Sequence, residues 1–267
     1  MERKKMTVPL LTKMKEKNDK ITCLTAYDWC FASLLDAAGI DLILIGDSAS
    51  MVFAGNKNTL PATMEQMIYH SQVVSRGVKQ ALVITDMPFL SYQISPETAL
   101  QNAGRFVKEC GVEGVKVEGG EYIAETIRKI VTTGIPVMGH LGLTPQSIHK
   151  FGSYTLQGKN EKNAKRIIKD AKILEEAGAF SIVLEKIPST VAKEVTLSVS
   201  IPTIGIGAGP YCDGQILVTH DMLGLFETFK PKFARKYEDL GPAIKKAVEN
   251  YINDIKNKKF PNDKESF

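Results

Sequence analysis

The sequence predicts one (β/α)₈ barrel domain spanning residues 1–267. Eight short, mostly aliphatic runs have the length of buried strands, and most are followed by a segment whose apolar residues repeat at helical spacing. A strict alternation of strands and helices implies a parallel sheet. Eight such units in about 200 residues fit a closed barrel better than an open doubly wound sheet. The alternative, a Rossmann-like sheet, is disfavoured because no Gly-x-Gly-x-x-Gly follows the first strand.

The strands are recognised by runs such as Leu42–Ile45, four aliphatic residues that suit a strand buried on both faces. The eight predicted strands cover residues 21–25, 42–45, 81–84, 114–120, 135–140, 181–185, 201–207 and 215–221.

N-cap residues, one capping box and glycine stops predict the helices. They are expected from Asp28 to Gly39, from Thr63 through Val74, from Ser95 to Gly111, at 121–131, at 164–177 and after a Ser189 cap. Two segments flank the barrel. A lead-in over 1–20 carries a short helix near 10–17, and a helical tail covers 230–267.

Composition and charge exclude several classes of protein. The net charge of +4 is small and lies mostly at the two ends, which does not indicate a nucleic-acid partner. No stretch approaches the roughly 20 apolar residues of a membrane span, and no apolar signal region follows the charged start at 1–5. The four cysteines form no Cys-x-x-Cys and no metal-finger spacing. We therefore expect reduced thiols, a cytoplasmic location and no membrane partner.

Polar side chains close five consecutive predicted strands, the second to the sixth. They are Asp47, Asp86, Glu118, His140 and Glu185. The carboxyl ends of parallel barrel strands meet at one mouth, where active sites lie, so these groups are expected to face one pocket. Capping of the next helix is the alternative for each acid alone, although Asp47 and Asp86 lie well upstream of the next predicted helix. His140 can equally be a hydrogen-bonded loop residue.

Three of these groups, Asp47, Asp86 and Glu118, would repel one another unless a cation lies between them. Oxygen ligands suit a hard ion such as Mg²⁺. Lys116 shares a strand face with Glu118 and would neutralise a substrate carboxylate, unless it only pairs with a neighbouring acid. Ser48 can donate a hydrogen bond at the same place. The pattern therefore predicts a metal site beside a site for an anionic substrate.

A metal held by acids beside a lysine and a separate carboxylate indicates enolate chemistry. A 2-oxo acid can chelate Mg²⁺ through its carboxylate and keto oxygens, which acidifies the adjacent C–H bond. A general base then removes that proton, and Glu185, outside the metal trio, is the candidate.

Seven groups of residues carry a resemblance to a known family, in order from about residue 5 to Phe267. They are Gly46-Asp47-Ser48; Thr59-Leu60-Pro61 with Tyr69-His70; Asp86-Met87-Pro88-Phe89; Lys116-Val117-Glu118-Gly119-Gly120; Gly139-His140-Leu141-Gly142-Leu143-Thr144-Pro145-Gln146-Ser147; Ile204-Gly205-Ile206-Gly207-Ala208-Gly209; and Asp213-Gly214-Gln215 with His220-Asp221. Together they resemble the ketopantoate hydroxymethyltransferase family. One departure is Ala49-Ser50, where the family usually has Leu-Gly, and it removes no functional group.

The resemblance implies a (β/α)₈ barrel that assembles as a homodecamer. It also implies transfer of a hydroxymethyl group from 5,10-methylenetetrahydrofolate to 3-methyl-2-oxobutanoate, giving 2-dehydropantoate for pantothenate synthesis. By motif, it implies one Mg²⁺ per subunit held by Asp47, Asp86 and Glu118, and a keto acid held by Asp47, Ser48, Asp86 and Lys116. Glu185 matches the family's proton acceptor, and His140 matches a residue near the substrate whose role stays open.

Two alternatives compete with this interpretation. Another Mg²⁺-dependent barrel enzyme acting on 2-oxo acids, such as a mutase, lyase or aldolase, would share the metal and enolate logic but not the segment from His140 to Ser147. A non-catalytic metal-binding barrel is the second, and the presence of every expected functional group argues against it.

Overall fold

Eight parallel strands close into a barrel in chain order in the computed structural model, which describes residues 4–226 and 231–267. Each strand pairs with the next, and the first pairs with the last. The strands are β1 (Ile21–Thr25), β2 (Leu42–Ile45), β3 (Leu82–Asp86), β4 (Gly114–Glu118), β5 (Val137–Gly142), β6 (Ser181–Glu185), β7 (Thr203–Ile206) and β8 (Gly214–Leu217). The predicted (β/α)₈ fold is confirmed.

Helices separate most of the strands, as the alternation predicted. They are α1 (Val8–Glu16), α2 (Trp29–Ala38), α3 (Ala49–Val52), α4 (Met64–Gly77), α5 (Pro96–Cys110), α6 (Ala124–Val131), α7 (Ile148–Phe151), α8 (Glu161–Glu176) and α9 (Ser189–Ser198). Short 3₁₀ helices cover Glu121–Ile123 and Pro145–Ser147. The predicted caps at Asp28 and Ser95 and the capping box from Thr63 to Gln66 are all formed.

The predicted N-terminal helix, α1, covers the end of the barrel where the strands begin. Its Leu11 is fully buried among side chains that fill the barrel interior. Lys15 forms an ion pair of 2.9 Å with Asp213, directly before β8. This end is therefore closed, and the opposite end is left to form the mouth.

Alternation along the strands determines which side chains enter the barrel. In β2, Leu42 and Leu44 pack in the interior, whereas Ile43 and Ile45 pack against the helices. Because successive side chains point to opposite faces, the same period of two runs through the neighbouring strands. Their early inward positions are mostly aliphatic and their late ones polar, so an apolar layer supports a polar mouth.

Four local predictions were wrong. Helix α3 starts directly after Ser48, so Asp47 does not lie well upstream of the next helix, although Ser48 at the N-cap forms no side-chain cap bond. Ser189 is the first residue of α9 rather than its cap, and Pro188 precedes it. His140 lies inside β5, which runs on to Gly142. Residues 220–221 belong to a helix after β8.

The contact pattern divides the chain into two compact units, Met1–Val218 and Thr219–Phe267. The second contains α10 (Thr219–Met222), α11 (Leu240–Lys256) and a 3₁₀ helix at Asp263–Glu265. The predicted tail over 230–267 thus includes a helix, while residue 230 and residues 1–3 of the charged start lie outside the described residues. That residues 1–267 form one domain stays a prediction. Among the described helices, none is long and apolar enough to cross a membrane.

Candidate active site

The register of the sheet places the predicted site residues side by side. Across β3 and β4, Asp86 pairs with Lys116. Across β4 and β5, Glu118 pairs with His140. All four residues are 3–4% exposed. Because these are late, inward positions of adjacent strands, their side chains gather at the carboxyl mouth of the barrel, as the sequence predicted.

Lys116 is the buried cation of this group. Its Nζ lies 2.7 Å from Asp86 Oδ1 and 3.9 Å from Glu118 Oε1. The closest partner therefore lies on the neighbouring strand rather than on its own. The second oxygen of Asp86, Oδ2, accepts a hydrogen bond of 3.0 Å from the backbone N–H of Asp47, which ties the residue after β2 into the same cluster.

His140 lies between two carboxylates. Its Nδ1 is 3.3 Å from Glu118 Oε1, and its Nε2 is 3.3 Å from Glu185 Oε2. Neither ring nitrogen has a well-aligned hydrogen-bond partner among the described residues, so both contacts are chiefly electrostatic. The Glu185 side chain, 15% exposed, is the most open of the cluster. The imidazole thus connects the predicted base to a predicted metal ligand.

Ser48 lies beside the cluster on the first turn after β2. Its Oγ is 2.7 Å from the hydroxyl of Tyr27. A Cβ atom on Gly46 would come within 2.5 Å of the same Oγ, so a side chain at this position would displace the Ser48 hydroxyl. The turn therefore places Ser48 next to Asp47, while its predicted role in holding the substrate stays a prediction.

The charges of the cluster shift the pKa of each member. Burial and the negative charges of Asp86 and Glu118 raise the pKa of Asp47 well above its usual range. Burial would also raise the pKa of Glu118, but His140 and Lys116 lower it more strongly. For Lys116, burial acts to lower the pKa, and the three surrounding acids raise it more. Burial and the charge of Lys116 oppose protonation of His140, but two glutamates overcome both and raise its pKa to about 9, so the imidazole is protonated at neutral pH.

The donor chemistry of the cluster fits Mg²⁺. Among the described residues, no group of three or more His, Cys, Asp or Glu side chains is arranged so that it could hold a metal ion as it stands. A bound cation would nevertheless be favoured here, because the three buried carboxylates of Asp47, Asp86 and Glu118 lie together and repulsion among them raises the pKa of Asp47. Hard carboxylate oxygens are the ligands that Mg²⁺ prefers. These three residues are the ones that could hold it, and their assignment as ligands stays a prediction.

One buried residue was missed by sequence reasoning. Gln146 donates a hydrogen bond of 2.9 Å from its side-chain Nε2 to Asp47 Oδ2, and another of 3.0 Å from its backbone N–H to Glu118 Oε2. It belongs to the long segment after β5 that carried the family resemblance. The signal that could have found it is the unusual length of that connection.

A separate cavity of about 560 Å³ adjoins the mouth on the side of β4, β5 and α8. It is lined by the Gly119-Gly120 turn and by the cationic side chains of Lys150, Arg166 and Lys169. None of the predicted site residues lines it, so it lies beside the cluster rather than within it.

Known proteins identify the family. Residues 5–263 match the sequence model described as ketopantoate hydroxymethyltransferase. The chain belongs to this family. Two relatives are named 3-methyl-2-oxobutanoate hydroxymethyltransferase. The one from Clostridium botulinum (strain 657 / Type Ba4) is 57% identical, and the match covers 98% of this chain and 95% of the relative. The one from Chlorobaculum tepidum is 55% identical, and the match covers 98% of this chain and 96% of the relative. The chain is therefore a member of an enzyme family.

Solved structures of lower identity share the fold. Phosphonopyruvate hydrolase superposes with a TM-score of 0.65 at 11% identity, covering 97% of this chain and 93% of that one. A 2,3-dimethylmalate lyase of the PEP mutase/isocitrate lyase superfamily gives a TM-score of 0.59 at 17% identity, covering 97% and 91%. At such identities the likeness concerns the barrel alone.

Proposed function

We propose that this protein transfers a hydroxymethyl group from 5,10-methylenetetrahydrofolate to 3-methyl-2-oxobutanoate and so forms 2-dehydropantoate for pantothenate biosynthesis. The observation that carries the proposal is the continuous run of buried charges from Asp86 through Lys116, Glu118 and His140 to Glu185. It joins a binding site for an anion to a carboxylate that can act as a base. The names of the relatives support the choice of keto acid.

Substrate binding is assigned to the Lys116 end of the cluster. The buried ammonium is suited to the substrate carboxylate because little water competes for it. Ser48 adds a hydroxyl donor beside it. Asp47, Asp86 and Glu118 would hold one Mg²⁺, which when bound supplies a Lewis acid that polarises the keto group and acidifies the C3–H bond.

Proton removal is assigned to Glu185, at the other end of the cluster. Its carboxylate is the most exposed of the group and therefore the one that an incoming substrate can reach. It takes the C3 proton, and the electron pair left on C3 forms a carbon–carbon bond to the methylene carbon of the folate. Both C–N bonds of that methylene group break, and water supplies the hydroxyl group. The C3 proton and the remaining proton of the water pass to the two folate nitrogens, and tetrahydrofolate leaves. The protonated ring of His140 holds Glu185 Oε2 at 3.3 Å and so orients the base.

Assembly and location complete the proposal. A homodecamer rests on the family resemblance alone. A cytoplasmic location is supported by the four cysteines, all of which are free thiols and three of which are buried.

A product assay tests the reaction. The purified protein is incubated with Mg²⁺, 3-methyl-2-oxobutanoate and methylenetetrahydrofolate, and 2-dehydropantoate is measured by mass spectrometry. We expect product only when all three are supplied. A folded, metal-loaded protein that forms none would refute the proposal.

Substituting Glu185→Gln tests the base. We expect this variant to lose exchange of the substrate C3 proton with solvent deuterium, followed by NMR, while Mg²⁺ binding is retained because Glu185 lies outside the metal trio. Glu194→Gln, an exposed change on α9, serves as the control and should exchange like the wild type. Persisting exchange in Glu185→Gln would assign the base elsewhere.

A further inference from the structure

Gln146 binds two of the predicted metal ligands at once. It lies in the 3₁₀ helix Pro145–Ser147 and is 6% exposed. Its backbone N–H donates to Glu118 Oε2 at 3.0 Å, and its side-chain Nε2 donates to Asp47 Oδ2 at 2.9 Å. The second Nε2 proton goes to the backbone carbonyl of Met87 at 3.0 Å. One oxygen of each carboxylate is therefore held by the same residue.

The orientation of the Gln146 amide is determined by its other neighbours. Its Oε1 accepts from the hydroxyl of Tyr92 at 2.8 Å and from Nε2 of Gln93 at 3.0 Å. A flipped amide would place Oε1 against two acceptors, Asp47 Oδ2 and the Met87 carbonyl, and its NH₂ group against the Gln93 donor. The amide thus has one satisfied orientation, and in it the NH₂ group faces Asp47.

Tyr92 extends this support to the strand that carries Glu118. Its hydroxyl, part of a side chain that is 1% exposed, accepts a hydrogen bond of 3.0 Å from the backbone N–H of Glu118. The same hydroxyl contacts Gln146 Oε1. The backbone and side chain of Glu118 and the side chain of Asp47 are therefore fixed by one connected set of hydrogen bonds.

We propose that Gln146 is a positioning residue of the metal site, which keeps the Asp47 and Glu118 carboxylates oriented toward a shared divalent cation. This rests on the proposed function, in which these two acids bind Mg²⁺. A neutral donor suits this role, because a lysine here would compete with the metal as a counter-ion and an acid would add to the repulsion among the clustered carboxylates. Groups that orient metal ligands in this way commonly change metal affinity by about tenfold to a hundredfold when removed.

The test is a Gln146→Met variant, which keeps the length of the side chain and the backbone bond to Glu118 but removes the amide. Mn²⁺ affinity of the metal-free protein is measured by electron paramagnetic resonance. Gln72→Met is the matched control, because Gln72 lies on α4 and its side-chain amide donates to the Glu109 carbonyl at 3.2 Å rather than to a carboxylate of the site. We expect Mn²⁺ binding to weaken by about tenfold to a hundredfold in Gln146→Met and to be unchanged in Gln72→Met.

A second readout separates positioning from simple loss of structure. The Mg²⁺ concentration that half-saturates C3 proton exchange should rise by the same factor, and high Mg²⁺ should recover most of the exchange rate, because Glu185 is intact. Tyr92→Phe, which removes one of the two groups that orient the amide, should shift Mn²⁺ affinity in the same direction by a smaller factor. It provides the measurement if Gln146→Met does not fold.

The outcomes are distinguishable from failure of the proposed function. Wild-type protein that binds no Mn²⁺ refutes the metal site and the inference with it. If the wild type binds Mn²⁺ and both Gln146→Met and Tyr92→Phe bind it with the same affinity, the positioning role of Gln146 is refuted while the metal site stands.

Discussion

Replacing Lys116 by Met would remove the lysine that, among residues 4–226 and 231–267, faces the buried carboxylates of the candidate site. Its Nζ is 2.7 Å from Asp86 Oδ1 and 3.9 Å from Glu118 Oε1, and all three side chains are at most 5% exposed. Methionine is flexible and close to lysine in length, so it can occupy the same space. The effect of the substitution is therefore the loss of a charge rather than the creation of a cavity.

Removing one partner of a buried ion pair costs about 3–5 kcal/mol, because the remaining charge is left without compensation in a poorly solvated place. This is a large part of the ~5–15 kcal/mol by which folded proteins are usually stable. Burial and the neighbouring acids raise the pKa of Asp47, and Lys116 acts to lower it, so loss of Lys116 raises this pKa further above its value in the unfolded chain. The folded variant then binds more protons, so its stability falls as the pH rises. We expect the loss in free energy of unfolding, relative to the wild type, to be larger at pH 8 than at pH 6.

Urea unfolding followed by circular dichroism at both pH values measures the deficit. Lys169→Met is the matched control: Lys169 also forms a lysine–carboxylate pair, 2.9 Å from Glu121, but its side chain is 62% exposed. Exposed pairs contribute little, so the control should unfold like the wild type. If Lys116→Met is as stable as the wild type at pH 8, or if its deficit does not grow with pH, the cluster is not held together by this charge.

Two further substitutions test how the barrel holds the site. Asp36 accepts hydrogen bonds of 2.7–3.0 Å from three consecutive backbone N–H groups at 79–81, and these lower its pKa in spite of burial. Asp36→Asn should therefore lower the free energy of unfolding by about 1.5–3 kcal/mol at pH 7. The difference between variant and wild type should narrow as the pH falls below about 3.9, because the wild type then loses the stabilisation that its ionised Asp36 provides. Equal urea midpoints at pH 7 would contradict this. Gly142 has a φ of +93°, and a Cβ atom there would lie 2.2 Å from the carbonyl oxygen of Glu185, the proposed base. Gly142→Ala should therefore displace Glu185 and reduce C3 proton exchange. Gly134→Ala is the control, because Gly134 has a φ of +90° but no atom within 4 Å of such a Cβ, and it should leave the exchange unchanged.

The strands and the acids at their ends were predictable because both follow from local patterns. Asp86, Glu118 and Glu185 are the last residues of β3, β4 and β6. The predicted end of β6 is confirmed, whereas β3 runs two residues past its predicted end at 84 and β4 stops two residues before its predicted end at 120. A buried parallel strand is a continuous aliphatic run, so the first acid marks its end clearly. β5 was harder: it continues through His140 to Gly142, where a positive φ ends it, and no polar residue marks that end.

The contacts across the mouth were not predictable, because they join residues far apart in the chain. Gln146 and Asp47 are separated by 99 positions, and no local periodicity relates them. Pairing of Lys116 with Asp86 rather than with its neighbour Glu118 depends on the register between β3 and β4, which a single sequence does not specify. Helix α3 escaped prediction because four residues with no side-chain cap leave little signal.

The order of charges around the mouth links the proposed substrate-binding lysine, Lys116, to the proposed base, Glu185. With His140 protonated, neighbouring strands present an acid, Lys116, an acid, the imidazolium and finally Glu185, so each charge faces one of opposite sign. His140 contacts both Glu118 and Glu185, so we expect a substitution at Glu118 to alter the electrostatic surroundings of Glu185. Asp47 stands outside this alternation: no ion pair of the described residues includes it, and its nearest side-chain partner is the neutral Gln146. It is the acid whose charge is least compensated by the protein itself, and hence the one that gains most from a bound cation.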